Sequence, residues 1–254
     1  MTFSVTSLET LFRCGVRYDY RYLQKIKTAP TSALILGRGV DEAVSFDLQN
    51  VIDHQTLLNA HEVTDIARHA VEQIVLTDGI MLTEEEAVRG LNRVRADITQ
   101  KAILMASLHH TYIAPRLQPT HVQRKFEIPV AGHIITGIID VQEGRSVRDT
   151  KVRSKSPDAD EAATSFQLTV YAMAVAQMDG VVPESVCLDF LIATQQPKIA
   201  KQESTRQRYH FVMVEERVKR AAEAVERGLF MPADIGDWHC SRIYCPYFDI
   251  CKFV

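Results

Sequence analysis

Apolar positions recur at helical spacing through most of the first half of the chain. SLETLFRCGVRYDYRYLQ (7–24), ALILGRGVDEAVSFDLQNVI (33–52) and HQTLLNAHEVTDIARHAVEQIVL (54–76) each place apolar or aromatic side chains three and four residues apart, the repeat that lines one side of an α-helix. Thr83 followed by three glutamates reads as a capped helix start, and that helix is expected to run to about residue 114, before Pro115. From residue 119 the pattern changes to alternation. THVQRKFEIPV (120–130), HIITGIIDVQE (133–143) and SVRDTKV (146–152) read as three strands of an antiparallel meander, with turns at Ala131-Gly132 and Gly144-Arg145. A helix is expected at about 159–178, a buried strand at 185–194, another strand at 207–214 and a helix at 215–230, before an irregular tail. This order predicts an α/β fold with a mixed β-sheet flanked by helices and an N-terminal helical region.

Composition adds bounds. With 254 residues, 46% hydrophobic and 24% charged, the chain has material for one large packed domain. Within it, 1–115 is expected to form the helical region, 116–235 the α/β core and 236–254 a cysteine-rich tail lying on the N-terminal helix. The longest apolar run, LTVYAMAVAQM (168–178), falls short of the roughly 18 residues that span a bilayer, and the start lacks a basic stretch followed by an apolar one. A cytoplasmic protein with no membrane partner is expected. The formal net charge is −3, so contact with nucleic acid would have to rest on local basic patches and bound metal. Of five cysteines, Cys240, Cys245 and Cys251 fall in the tail, Cys14 lies near the start, and Cys187 sits in the apolar strand SVCLDFLIA, where a core role is expected. Clustered thiols in a reducing compartment more often hold metal than form disulfides.

The meander carries the candidate chemistry. Asp140 closes Gly137-Ile138-Ile139-Asp140, and Asp149 and Lys151, two apart, share one face of the next strand. Counting outward from the Gly144 turn puts Asp140 and Asp149 roughly opposite each other. Two such carboxylates repel unless a divalent cation lies between them, and a lysine beside that cation can steady charge developing on a phosphorus. A surface hairpin with a salt bridge would look the same from Asp-x-Lys alone. In the following helix Gln167 and Tyr171 are four apart and share a face, and Gln167 interrupts an otherwise apolar run.

A strand ending Gly-x-Ile-Asp, a strand with Asp-x-Lys and a helix with Gln-x-x-x-Tyr, in this order, resemble the core of RecB-like PD-(D/E)xK nucleases. The resemblance implies a restriction-endonuclease-like core and metal-dependent hydrolysis of DNA, in the manner of a compact phage or prophage exonuclease acting in DNA processing. It implies Mg²⁺ or Mn²⁺ on Asp140, Asp149 and the Thr150 carbonyl, Lys151 assisting the attacking water, and Gln167 and Tyr171 close to the site and the DNA. Such nucleases often open with a tyrosine-rich Cys-Pro helix, here Cys14-Gly15-Val16-Arg17-Tyr18-Asp19-Tyr20-Arg21-Tyr22. A later helix carries Gly-x-x-x-His; here Asp41 stands in the histidine's place as the outer metal ligand, with Glu42 beside it read as a solvated acid. The one-plus-three layout of Cys14 with Cys240, Cys245 and Cys251 is similar to that of the relatives, AddB-type and CRISPR adaptation nucleases, that hold a [4Fe–4S] cluster; Zn²⁺ would suit four thiolates equally.

Arg148, Arg153 and Lys155 surround the motif and are candidates for DNA phosphates or plain solvated charges. Other readings of the same residues are a DNA-binding module that has lost catalysis, an RNA or nucleotide phosphohydrolase, and a zinc-stapled interaction protein. A homo-oligomer or a recombination partner protein is compatible with all of these.

Overall fold

A computed structural model describes residues 1–254 throughout. Six strands form one mixed sheet: β1 (Thr2–Ser4), β2 (His121–Val130), β3 (His133–Glu143), β4 (Ser146–Arg153), β5 (Ser185–Ile192) and β6 (Lys198–Ser204). The meander β2–β3–β4 is antiparallel as the alternation predicts, and Ala131 and Gly132 both take the left-handed backbone that a two-residue hairpin turn needs. β5 then joins β4 in parallel, and β6 closes the sheet antiparallel to β5. The architecture is the restriction-endonuclease-like α/β fold that the element order implies.

Helices cover both faces. On one lie α3 (Ser32–His54), α4 (Ala60–Asp78) and α6 (Leu91–Tyr112), whose apolar faces converge on Val141 and Leu191 of the sheet. On the other lie α1 (Val5–Arg13), α8 (Phe166–Asp179) and α9 (Arg208–Glu226). The short α2 (Gly15–Tyr18), α5 (Glu84–Arg89) and α7 (Glu161–Thr164) connect them. α8 is buried on every side from Leu168 to Val175, which explains why its sequence is apolar all round rather than amphipathic. No helix is long and apolar enough to cross a membrane.

Four expectations are corrected. The stretch 7–24 is not one helix: Cys14 is extended and caps α2, its Sγ accepting from the Arg17 amide at 3.4 Å, and a π-helical turn follows at Asp19–Leu23. The helix from Thr83 breaks at Gly90, whose φ of +82° ends α5 and starts α6. Residues 207–214 are the first turns of α9, because Phe211, Val214, Val218, Ala221 and Ala222 continue one helical face. The edge strand is instead β6, whose polar, lysine-flanked sequence suits an exposed sheet edge. β1 was not expected at all; it pairs in parallel with Ile134–Thr136 of β3.

Gly137 has a packing reason. It pairs directly with Phe126 across β2 and β3, and the Phe126 ring lies over it: a Cβ there would sit 2.4 Å from Cζ of that ring. The ring in turn meets Tyr171 edge-on at 5.9 Å between centroids. Gly137→Ala should therefore force the buried ring to move and cost about 1–3 kcal/mol in urea denaturation. Gly37→Ala, on α3 with nothing within 4 Å, should be neutral or stabilising by up to about 1 kcal/mol. Equal effects of the two changes would contradict this packing account.

Candidate active site

The β3–β4 ladder holds only at Val141–Arg148, Gln142–Val147 and Glu143–Ser146. One further step in that register sets Asp140 against Asp149, and there the strands part. β1 occupies the other end of the same edge of β3, at Ile134–Thr136, so Gly137 to Asp140 have no partner on that side. On the opposite edge, β2 pairs with β3 on both sides of Asp140, but Gln123, the residue facing it, has φ +49° and leaves the ladder. A left-handed glutamine costs roughly 1–2 kcal/mol. Its side chain is thereby turned to Asp41 on α3: Nε2 donates to Asp41 Oδ1 at 3.3 Å and to Ser45 Oγ at 2.9 Å. The sheet is open around Asp140 on both edges.

Asp149 and Lys151 stand on the β4 face that lies beneath α8. Lys151 Nζ donates to Asp149 Oδ1 at 3.0 Å and to Gln167 Oε1 at 2.7 Å, and Gln167 Nε2 donates to the Tyr171 hydroxyl at 2.7 Å. One relay thus links all four residues, and Asp140 and Asp149 lie beside each other. α8 is fixed at both ends to make this possible. Arg206, buried, donates to Thr169 Oγ1 at 2.7 Å and to the Ala162 carbonyl at 2.6 Å at its start. Arg124 grips Asp179 with two bonds of 2.8 and 2.6 Å at its end.

The electrostatics are those of too many acids. Burial, then the nearby Asp149, raises Asp41 from 3.8 to about 6. Burial, Asp149 and Asp41 push Asp140 well above the carboxylate range. Glu9 on α1, a residue that nothing in the sequence marked, is raised by burial, with Lys151 lowering it and Asp149 raising it. Burial works against the Lys151 ammonium, but Asp149 and Asp140 outweigh it and hold the amine above its ordinary value. Tyr171 is raised by burial and by both aspartates. Three aspartates therefore crowd one lysine, and Glu9, also within reach of Arg13 and Arg217, adds a fourth carboxylate.

That surplus is what a divalent cation would neutralise. Asp149 Oδ2 is buried and makes no hydrogen bond of acceptable angle, although Lys151 Nζ is 2.8 Å away. No three His, Cys, Asp or Glu side chains form a closed ligand group anywhere in the chain. Mg²⁺ does not need one, since it is commonly held through one or two carboxylates with water and substrate phosphate completing its shell. The donor set fits such an ion.

Other expected residues fall differently. Arg148 points away from the site: it is buried, pairs with Asp189 through bonds of 3.0 and 2.9 Å and reaches Glu143, so it has no free edge for a DNA phosphate. Arg153 pairs with Glu161 and lies over the Phe190 ring, while Lys155 is exposed. Glu42 is exposed, as expected for a solvated acid. Cys187 is buried in β5. Cys14, Cys240, Cys245 and Cys251 all line one cavity of about 610 Å³ between α1 and the tail, yet they do not converge as a ligand group. The geometry lends no support to the [4Fe–4S] or Zn²⁺ expectation. The tail and the segment before it are held by other contacts: the Tyr247 hydroxyl donates to the Ile26 carbonyl at 3.0 Å, and ahead of the tail Gly15 N donates to the Met231 carbonyl at 2.7 Å, an approach that a Cβ on Gly15 would block.

Residues 2–252 match the family model described as the PD-(D/E)XK nuclease superfamily. The chain belongs to that superfamily. Its fold is similar to the crystal structure of a "Putative exonuclease" from Eubacterium rectale, with a TM-score of 0.57 at 15% identity, covering 91% of this chain and 83% of that one. The structure of SSO0001 aligns with a TM-score of 0.46 at 18% identity, over 99% and 86% of the two chains. No curated protein matches by sequence.

Within this superfamily member the raised carboxylates have a stability consequence. Below the unfolded carboxylate value of 3.8 both states are protonated and no penalty exists. As pH rises the unfolded chain ionises first, so the metal-free fold loses stability between 3.8 and, for Asp41, about 6, and the deficit persists above that. Asp140→Asn should therefore raise Tm in EDTA at about pH 8, with the gain shrinking toward pH 4, and should reduce the stabilisation that Mn²⁺ gives the native protein. Scanning fluorimetry checks both; a Tm lowered by the substitution at about pH 8 would show that the carboxylate is not under repulsion.

Proposed function

We propose that this nuclease is a metal-dependent exodeoxyribonuclease, hydrolysing phosphodiester bonds at the centre formed by Asp140, Asp149 and Lys151. The observation that carries the proposal is the bridge from Lys151 to Asp149 and Gln167 beside the opening at Asp140. Mg²⁺ or Mn²⁺ would be held by Asp140 and Asp149, with Asp41 and the Thr150 carbonyl as further oxygen donors; when bound, it supplies positive charge to the phosphate and makes water more acidic. Lys151, held above its ordinary value, stays an ammonium. It therefore serves as a donor to the charge that gathers on the phosphate oxygens, and it is not the base that takes the water's proton. A carboxylate does that. Gln167 and Tyr171 fix the direction of Lys151, with the tyrosine hydroxyl kept protonated. Among the flanking cations, Arg153 and Lys155 remain as phosphate contacts; Arg148 does not.

End-labelled linear DNA and covalently closed circular DNA, each with Mg²⁺ or Mn²⁺, test this directly. Linear DNA should be degraded and circular DNA left intact. Asp149→Asn should abolish cleavage, and Lys151→Ala should lower kcat by about 100-fold or more while DNA affinity changes by less than about threefold. Full activity in Asp149→Asn would refute the assignment, and cleavage of closed circles would make the enzyme an endonuclease.

A further inference from the structure

The cavity that the tail cysteines line extends to α1, within electrostatic reach of Lys151 and Asp149. Glu9, which couples to Lys151 and Asp149, lines it, and so do Phe12, Arg13, Arg17, Phe166 and Arg217. Phe166 precedes Gln167, the residue that holds Lys151. The Phe12 and Phe166 rings meet edge to face at 5.2 Å, and the Arg217 guanidinium covers both, 4.0 Å from the first centroid and 5.0 Å from the second.

Few of this cluster's donors are used inside the protein, although Glu9 lies within electrostatic reach of Arg13 and Arg217. Arg217 is exposed and lies over the Phe12 ring and near the Phe166 ring, but makes no hydrogen bond and no ion pair with a carboxylate. Arg13 meets only His239, and Arg17 Nε is buried without a partner. Arg13 and Arg17 follow one another along the wall at a spacing of four. Glu9 is the one acidic side chain in a lining that carries four arginines, within a chain of net charge −3. A guanidinium held over an aromatic ring, beside cations with spare donors, is an arrangement that can take a base on its open face and phosphates along its rim. A base inside a duplex cannot occupy such a surface, because both its faces are already stacked and its edge is paired.

We propose that Phe12, Phe166 and Arg217 form a stacking platform for an unpaired nucleotide next to the scissile phosphate, with Arg13 and Arg17 on the adjoining backbone, so that this nuclease acts on single-stranded DNA or frayed ends. The inference rests on the nuclease reading above and adds the strand state of its substrate.

Arg217→Ala and Phe12→Ala, with folding checked by Tm, are compared with the native enzyme. Binding of fluorescent oligo(dT) and of a blunt duplex is measured by anisotropy in EDTA, and cleavage of each is measured with Mg²⁺. Each variant should weaken oligo(dT) binding by about 5- to 100-fold, the range of one lost base stack, with duplex binding moved far less and the cleavage defect on single strands appearing in KM rather than kcat. Arg217→Lys, which keeps the charge but loses the planar surface, should recover only part of the loss. Equal losses on oligo(dT) and duplex, or full recovery with lysine, would reduce Arg217 to a phosphate anchor and overturn the platform. Unchanged oligo(dT) binding in both alanine variants would also overturn it. Native protein that binds oligo(dT) in a platform-dependent way but cleaves no DNA would refute the nuclease reading and leave the platform standing.

Discussion

Repulsion among buried carboxylates is the constraint around which this molecule is organised. Asp41, Asp140 and Asp149 gather on a single ammonium group, Lys151, with Glu9 within its electrostatic reach, and crowding and burial raise Asp41, Asp140 and Glu9 above their ordinary values. A shift of Asp41 from 3.8 to about 6 corresponds to roughly 3 kcal/mol, a large share of the stability of an ordinary domain. A fold that tolerates this must recover the energy elsewhere. Two extensive apolar clusters, one on each face of the sheet, do so.

The scaffold also keeps the acids from escaping one another. The sheet cannot close over Asp140, because β1 and β4 take the two ends of one β3 edge and Gln123 turns out of β2 on the other. α8 cannot slide, because Arg206 and Arg124 hold its ends to neighbouring elements. Phe126 fills the space above Gly137 and backs Tyr171. Each device is structural in itself, and each ends by fixing the direction of a group in the site. The left-handed Gln123 and the Asp149 oxygen without a well-angled hydrogen bond both lie at the proposed site.

Much of this was legible in the sequence. The meander and its turns follow from alternation, and a register counted from Gly144 already opposes Asp140 to Asp149. Gln167 and Tyr171 follow from the helical repeat. What escaped was set by tertiary contact. Glu9 looks like any solvated acid on a short helix until the fold brings α1 within electrostatic reach of Lys151. Gln123 sits in an ordinary alternating strand, and only its backbone turn brings it to Asp41. Arg148 appeared beside the motif, but the strand alternation that aims Asp149 into the site sends its neighbour to the opposite face and to Asp189. β1 is too short to register as a strand, and residues 207–214 have strand-like composition inside a helix whose apolar face emerges only downstream. The tail cysteines gather on one cavity without closing into a ligand group, and spacing alone could not have shown that.

The carboxylate surplus in this PD-(D/E)XK superfamily member underlies the proposal that a cation binds at the opening in the sheet. Anomalous diffraction from crystals soaked in Mn²⁺ measures this most directly. A single strong peak between the Asp140 and Asp149 carboxylates, within about 2.5 Å of an oxygen of each and absent in Asp140→Asn, is the result expected. Anomalous density only elsewhere, with none between the two aspartates at a saturating Mn²⁺ concentration, would contradict it.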